Sequence, residues 1–215
     1  MISSRSVAVG ADIVHETPQH KILGVVVNNK LSWHDHANEV VSSINQRNGI
    51  ITRLGYHVPR QYLSQIANSV VVSKARYGLS LYGSARMQDD DPRTGHLQAV
   101  QVALNNTMRL VSGNKLIDKV PVRMLSDETG IRSLNQMYAQ DNLLLAWQNI
   151  RDPDAPISAA FGSICGHPTM PSRSKTRGNV RESVRSTLAR RNLPHTAIEL
   201  WNKIDITTLR SATNR

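Results

Sequence analysis

The sequence predicts a mainly α protein: a helical bundle preceded by a small antiparallel β element and followed by a basic, partly irregular C-terminal region. Three observations carry this prediction. The first thirty residues read as strands, with no further strand signal behind them. From Ser32 onward the apolar spacing changes to the helical period. After Pro153, proline and glycine displace that period, and arginines then dominate. The expected division is 1–30 for the β element, 31–152 for the bundle, 153–193 for a linker with a basic segment, and 194–215 for a last helix.

The elements follow in order. Val7-Ala8-Val9 and Asp12-Ile13-Val14 flank Gly10-Ala11, a short hairpin signal. Ile22 to Val27 is a β-branched run that predicts one further strand, ending at Asn28-Asn29. Three strands are marginal by themselves, so the sheet resembles the edge of something larger. Ser32 stands three residues before Asp35, the spacing of a capping box, and opens a helix striped by Ala37, Val40, Val41, Ile44, Ile51 and Leu54, with Gly55 as its stop. Pro59 starts the next helix, in which Leu63, Ile66, Ala67, Val70, Ala75 and Tyr77 keep helical spacing as far as Gly78 or Gly83. Asp91-Pro92 opens a third, with Leu97, Val100, Leu104, Met108 and Val111 inward and Ser112-Gly113 closing it. A short helix is expected from Pro121 to Thr129. A longer one from Ser133 is striped by Leu134, Met137, Tyr138, Leu144 and Leu145 and ends at Asp152-Pro153. Pro194 to Lys203, with Ile198, Trp201 and Ile204, predicts a short final helix. No internal repeat or low-complexity tract is evident.

At 215 residues and 40 % hydrophobic content the chain is long enough to bury a core without disulfides or metals. Lys and Arg total 26 against 16 Asp and Glu, a net charge of +10, which favours a polyanionic partner. The excess is uneven. Pro171 to Arg191 carries Arg173, Lys175, Arg177, Arg181, Arg185, Arg190 and Arg191 against Glu182 alone. Arg177, Arg181 and Arg185 recur every four residues, so on a helix they share one face and can follow a phosphate backbone. A solvated basic linker has the same composition, and the sequence leaves both readings open. A single cysteine, Cys165, excludes a disulfide framework and fits a reducing compartment. Met1 to Arg5 has no apolar signal core, and the longest uncharged stretches are broken by Pro, Gly or amides. An intracellular protein, nuclear or cytoplasmic and without membrane association, is expected.

Catalytic machinery is sparse. Asp89-Asp90-Asp91 is the one carboxylate cluster, but neighbouring residues point different ways, and Asp91 before Pro92 is explained by helix capping. His34 and His36, with Cys165 and His167, supply ligand types for zinc only if distant segments meet. The glycines are scattered, with no phosphate loop or dinucleotide fingerprint, and no nucleophile elbow marks a hydrolase. No small-molecule substrate is indicated. Aromatic residues are only 4 %, so a base-stacking platform is not evident. Trp33, Trp147 and Trp201 are expected to anchor helix packing.

The order of segments adds a resemblance. His20 to Val27 followed by Leu31-Ser32-Trp33-His34-Asp35-His36 resembles a signature of reverse transcriptases from LINE-type (non-LTR) retrotransposons. Further similar pieces come in family order. They are Arg53-Leu54-Gly55 with Val58-Pro59-Arg60, then Ala75-Arg76-Tyr77-Gly78 through Tyr82-Gly83, then Leu97-Gln98 through Arg109 to Gly113. Val120-Pro121 through Leu125, Thr129 to Leu134 and the tail Leu200-Trp201-Asn202-Lys203-Ile204 complete the series, over about residues 20–205.

The resemblance implies a palm edge with the primer grip, followed by a thumb-like bundle. It also implies that the fingers and catalytic palm, with their Tyr-x-Asp-Asp strand and the Mg²⁺ they bind, lie outside this chain, which has no catalytic residue or cofactor of its own. The expected function is that of a catalytically incomplete fragment of an RNA-directed DNA polymerase. It would bind RNA, DNA or an RNA–DNA hybrid through its backbone charge, with the missing palm as a further partner. Carried over, Leu23 and Gly24 fall in the primer-grip strand, although Leu23 equally suits plain core packing. Lys21, Lys30, Arg47, Arg53 and Arg60 are near enough in sequence to reach phosphates, and the basic run separately offers Arg173, Lys175, Arg177, Arg181 and Arg185 as nucleic-acid-binding candidates. Two alternatives remain: membership of a longer, active reverse transcriptase whose palm lies upstream of Met1, or a helical protein-interaction scaffold with incidental charge.

Overall fold

A computed structural model describes residues 6–10, 12–30, 32–83 and 95–151. The fold is mainly helical with a small antiparallel β element at its N-terminal end. The linker and C-terminal helix expected from the sequence, the basic segment after Pro171 and Asp89-Asp90-Asp91 lie outside the described residues.

The β element is two separate hairpins. β1 (Ser6–Val9) pairs antiparallel with β2 (Asp12–His15), and β3 (Gln19–Ile22) with β4 (Val25–Asn28). The single strand expected over Ile22–Val27 is therefore corrected: Ile22 pairs with Val25, and Leu23-Gly24 is the two-residue turn between them. Leu23 has φ +48° and Gly24 φ +82°, the positive values at both central positions that a type I′ turn requires. The usual residues there are Asn and Gly. A leucine in the first position hides the turn inside an apolar run.

Helix α1 (His34–Leu54) buries Ala37, Val40, Ile44 and Ile51 as its stripe predicts, with Val41 and Leu54 partly buried beside them. The turn between Ile44 and Ile51 is completed by Asn48, which is buried and polar. Its Oδ1 accepts from the Thr107 hydroxyl at 2.8 Å, and its Nδ2 donates to the Ala103 carbonyl at 3.4 Å. Both partners lie on α5 (Gly95–Ser112). Near the other end of the same pair of helices the rings of His34 and His96 meet edge to face at 5.1 Å. These contacts set α1 and α5 parallel and side by side. Leu97, Val100, Leu104, Met108 and Val111 of α5 are buried as expected, and left-handed Gly113 (φ +76°) closes the helix by donating to Arg109. Burying side chains of this size is worth about 1.5–3 kcal/mol each, so the α1–α5 seam is the main stabilising surface.

The capping box expected at Ser32 and Asp35 does not form. Trp33 occupies the N-cap position, and both side chains instead accept from the Asn28 amide, at 3.3 Å for Ser32 and 2.8 Å for Asp35. Asn28 Oδ1 also accepts the Ser32 backbone N–H at 2.8 Å. The pair of residues that suggests a helix start thus fastens the strand before it.

After Pro59 the chain runs through α2 (Arg60–Ala67), a π turn at Asn68–Val72 and α3 (Ser73–Arg76). The π turn changes the inward face. Val70, expected inside, is 37 % exposed, while Val71 and Val72 are buried. Tyr77 leaves the helix in an extended conformation, Gly78 takes φ +70°, and α4 (Leu79–Tyr82) follows. Then come a 3₁₀ turn (Leu116–Asp118), α6 (Val122–Thr129) begun by Pro121 and ended by left-handed Gly130, and α7 (Leu134–Arg151). Helix α7 packs on α3 and α4 and buries Leu134, Met137 and Tyr138. Leu144, expected in that stripe, is 47 % exposed, and buried Asn142 takes the inward position. Arg76 of α3 grips Asp141 of α7 through Nε at 2.9 Å to both carboxylate oxygens and through a second nitrogen. The Asp141 carboxylate raises the Arg76 pKa above its ordinary value.

Candidate nucleic-acid interface

The hairpin β3–β4 is docked onto the bundle where α3 gives way to α4. At its tip the Tyr77 hydroxyl donates to the Leu23 carbonyl at 2.5 Å, and the Tyr77 ring lies against Gly24. An added Cβ on Gly24 would stand 3.4 Å from that ring, and one on Gly78 would stand 3.2 Å from a Val25 methyl. Two glycines with positive φ thus let the turn of the hairpin and the bend after α3 approach closely. Leu23 is 85 % exposed and contributes nothing to the core, so the core-packing reading of this residue is corrected. A bulky side chain held at positive φ and open to water is an uncommon arrangement, and such strained positions cluster at functional sites.

Four further contacts hold the hairpin. Lys21 of β3 forms an exposed ion pair with Glu39 of α1, and that hydrogen bond holds the Glu39 carboxyl below its ordinary pKa. Asn28 ties the end of β4 to Ser32 and Asp35. Val25 supplies one buried apolar side chain. The Val26 N–H donates to Nδ1 of His36 at 3.3 Å. His36 is 1 % exposed and stands edge to face against the Tyr82 ring at 4.9 Å. Burial, followed by the nearby Lys74 charge, lowers its pKa. The Tyr82 hydroxyl donates to the Ala75 carbonyl, and burial raises its pKa.

The candidate phosphate-binding residues divide into groups. Lys21, Leu23, Gly24 and Lys30 belong to the hairpin and its exit, Lys21 beside the turn and exposed Lys30 beyond the opposite end, just before α1. Arg53 is in the last turn of α1, and Arg60 is in the first turn of α2 with its guanidinium over Gly113, beyond the end of α5. The two groups are thus separated by roughly the length of α1, about 30 Å at 1.5 Å per residue. Arg47 lies between them and is turned back, donating to the Ser43 carbonyl at 3.2 Å and to its hydroxyl. Arg173, Lys175, Arg177, Arg181 and Arg185 lie outside the described residues.

Sequence reasoning misses Tyr77, His36, Lys74 and Asn28 as members of this site. Helical spacing puts Tyr77 on a helix face, His36 stands out only as a possible zinc ligand beside His34, and nothing in the spacing of Lys74 and Asn28 distinguishes them from ordinary helix and turn residues. Among the described residues no group of three or more His, Cys, Asp or Glu side chains comes together as a metal site. No helix among them is long and apolar enough to cross a membrane. Comparison with protein-family models, with curated proteins and with solved structures finds no match.

Proposed function

We propose that this chain is a thumb-like, catalytically incomplete part of a LINE-type reverse transcriptase that binds RNA, DNA or their hybrid through the phosphate backbone, without sequence specificity. One observation carries this reading. Leu23-Gly24 and Tyr77-Gly78 belong to two separate pieces of the resemblance, more than fifty residues apart, and they meet in one docked turn. Exposed basic side chains stand beyond the open end of that hairpin, at Lys30, and at the far end of α1, at Arg53 and Arg60. The basic segment after Pro171 adds the densest charge. Such side chains position a backbone and carry no base-specific information.

The test is titration of a labelled RNA–DNA hybrid with the full chain at several salt concentrations. Affinity is expected to fall steeply with salt. Ala at Arg177, Arg181 and Arg185 together is expected to flatten the logarithmic salt slope by about 2 to 3, because each phosphate left without its arginine removes about 0.9 from that slope. An unchanged slope reduces this segment to a solvated linker, and absence of binding at low salt overturns the reading.

A second reading, a protein-interaction scaffold, is favoured by the exposed Val7 and Ile13 on the first hairpin. It predicts an association that survives the salt that releases nucleic acid. An in-frame Tyr-x-Asp-Asp upstream of Met1 in the transcript would instead make the chain part of an active polymerase.

A further inference from the structure

The contacts between the β3–β4 hairpin and the bundle are mostly polar, and one of them depends on a proton. His36 Nδ1 accepts the Val26 N–H at 3.3 Å, so this nitrogen carries no hydrogen and the neutral ring carries its proton on Nε2. That nitrogen is buried with no hydrogen-bond partner. A charged imidazolium would present Nδ1–H to the Val26 N–H, donor against donor, so protonation exchanges that hydrogen bond for a buried charge.

The charges that face His36 favour the neutral ring on balance. Lys74 on α3 and Lys21 on β3 oppose a further positive charge, and Glu39 on α1 favours it while already paired with Lys21. From α4, Tyr82 presents its ring, and its hydroxyl is committed to Ala75. What otherwise secures the hairpin is one buried side chain, Val25, and the contacts of Tyr77, Lys21 and Asn28. Val25 lies outside the continuous core formed by the helices, so that core can persist when the hairpin leaves.

We propose that His36 is a proton-operated latch: protonation of its ring releases β4 from α1 and undocks the β3–β4 hairpin, while the α1–α5 core stays folded. The latch connects the hairpin tip, Leu23-Gly24, to the acidity of its surroundings, and it holds whether or not the tip contacts nucleic acid.

Amide hydrogen exchange of the full chain, followed by NMR from pH 7.5 to 5 and corrected for the intrinsic rate, tests this. Protection at Val26 is expected to fall by up to about tenfold per pH unit once the ring begins to charge, the limit for one coupled proton. Ile44 and Leu104 are expected to keep their protection. His36→Gln retains an oxygen that can accept from Val26 but does not titrate in this range, and it is expected to remove the pH dependence. Should that variant fail to fold, the ¹⁵N titration of the wild-type imidazole decides. A midpoint below the ordinary 6.5, shared with the Val26 amide, supports the latch. Protection at Val26 that ignores pH, core amides that fail in parallel, a His36→Gln chain that keeps the wild-type dependence, or a ring that titrates while Val26 stays unchanged would each overturn it.

Discussion

Leu23 shows how one residue can conflict with its local conformation and remain in place. Positive φ costs a non-glycine residue roughly 1–2 kcal/mol, and at 85 % exposure this side chain recovers nothing by burial. The turn is held from outside, by the Tyr77 hydroxyl on the Leu23 carbonyl and by the Tyr77 ring against Gly24. Leu23→Asn would supply the Asn-Gly pair that type I′ turns favour. Equilibrium urea unfolding should show this variant more stable by about 0.5–1 kcal/mol. If the exposed leucine is used in binding, the same variant should bind the RNA–DNA hybrid more weakly. A chain that neither gains stability nor shows any change in affinity would remove the argument for strain at this site. The asymmetry is partly legible in the sequence. Leu23 and Gly24 stand out there as a pair, but as strand residues, because an apolar run of six gives no sign that its second and third members reverse the chain.

At the scale of elements, helix existence and boundaries are mostly readable from the sequence, while two inward faces are not. Leu63, Ala67, Val71 and Ala75 are buried at intervals of four. Each step of four advances roughly 40° beyond a full turn on a straight α-helix, so three steps would carry the stripe about 120° away from the core. The π turn at Asn68–Val72 absorbs that drift with one extra residue, which is why Val70 is pushed outward. A 3.6-residue template cannot anticipate an insertion of this kind. Asn48 escapes notice for a different reason. A polar residue in an apolar stripe looks like a gap until its partner Thr107, 59 positions on, comes beside it. The π turn makes a sharp prediction. Deleting exposed Ser69 should convert the turn to regular α-helix, keep Val71, Val72 and Ala75 facing inward, and leave a cooperatively folded chain by thermal unfolding. Deleting exposed Asn45 in the middle of α1 should rotate Asn48 and Ile51 out of the α1–α5 seam by about 100° and abolish cooperative unfolding. Equal damage from the two deletions would show that the π turn does not serve as a register correction.

For the whole molecule, composition indicates the class of partner more readily than its geometry. The net charge of +10 is plain, but the described residues divide their candidate cations between the hairpin and the far end of α1, turn Arg47 back onto its own helix and pair Lys21 with Glu39. Charge counted along a chain does not reveal which side chains the fold has already engaged, and that depends on contacts between distant residues. The same contacts determine how the molecule responds to acid, in two stages. His36 has a folded pKa below its ordinary 6.5, so the unfolded chain binds the proton first. Its contribution to stability is complete above about pH 6.5 and is lost as pH falls toward the folded value, by at most about 1.4 kcal/mol per pH unit. Glu39 is lowered from 4.5 by Lys21, so its contribution is present above that value and is lost as pH falls through the lower, folded one. Salt separates the stages. The Lys21–Glu39 pair is exposed, and at about 1 M ionic strength, where the screening length is about 3 Å, its stage should shrink. Burial is the largest cause at His36, and desolvation is not screened by ions, so the stage that begins near pH 6.5 should persist. Urea midpoints measured from pH 8 to 3.5 at low and high salt provide the comparison. If the upper stage disappears in high salt, the buried ring is not its source, and nearby lysine charge governs the response instead.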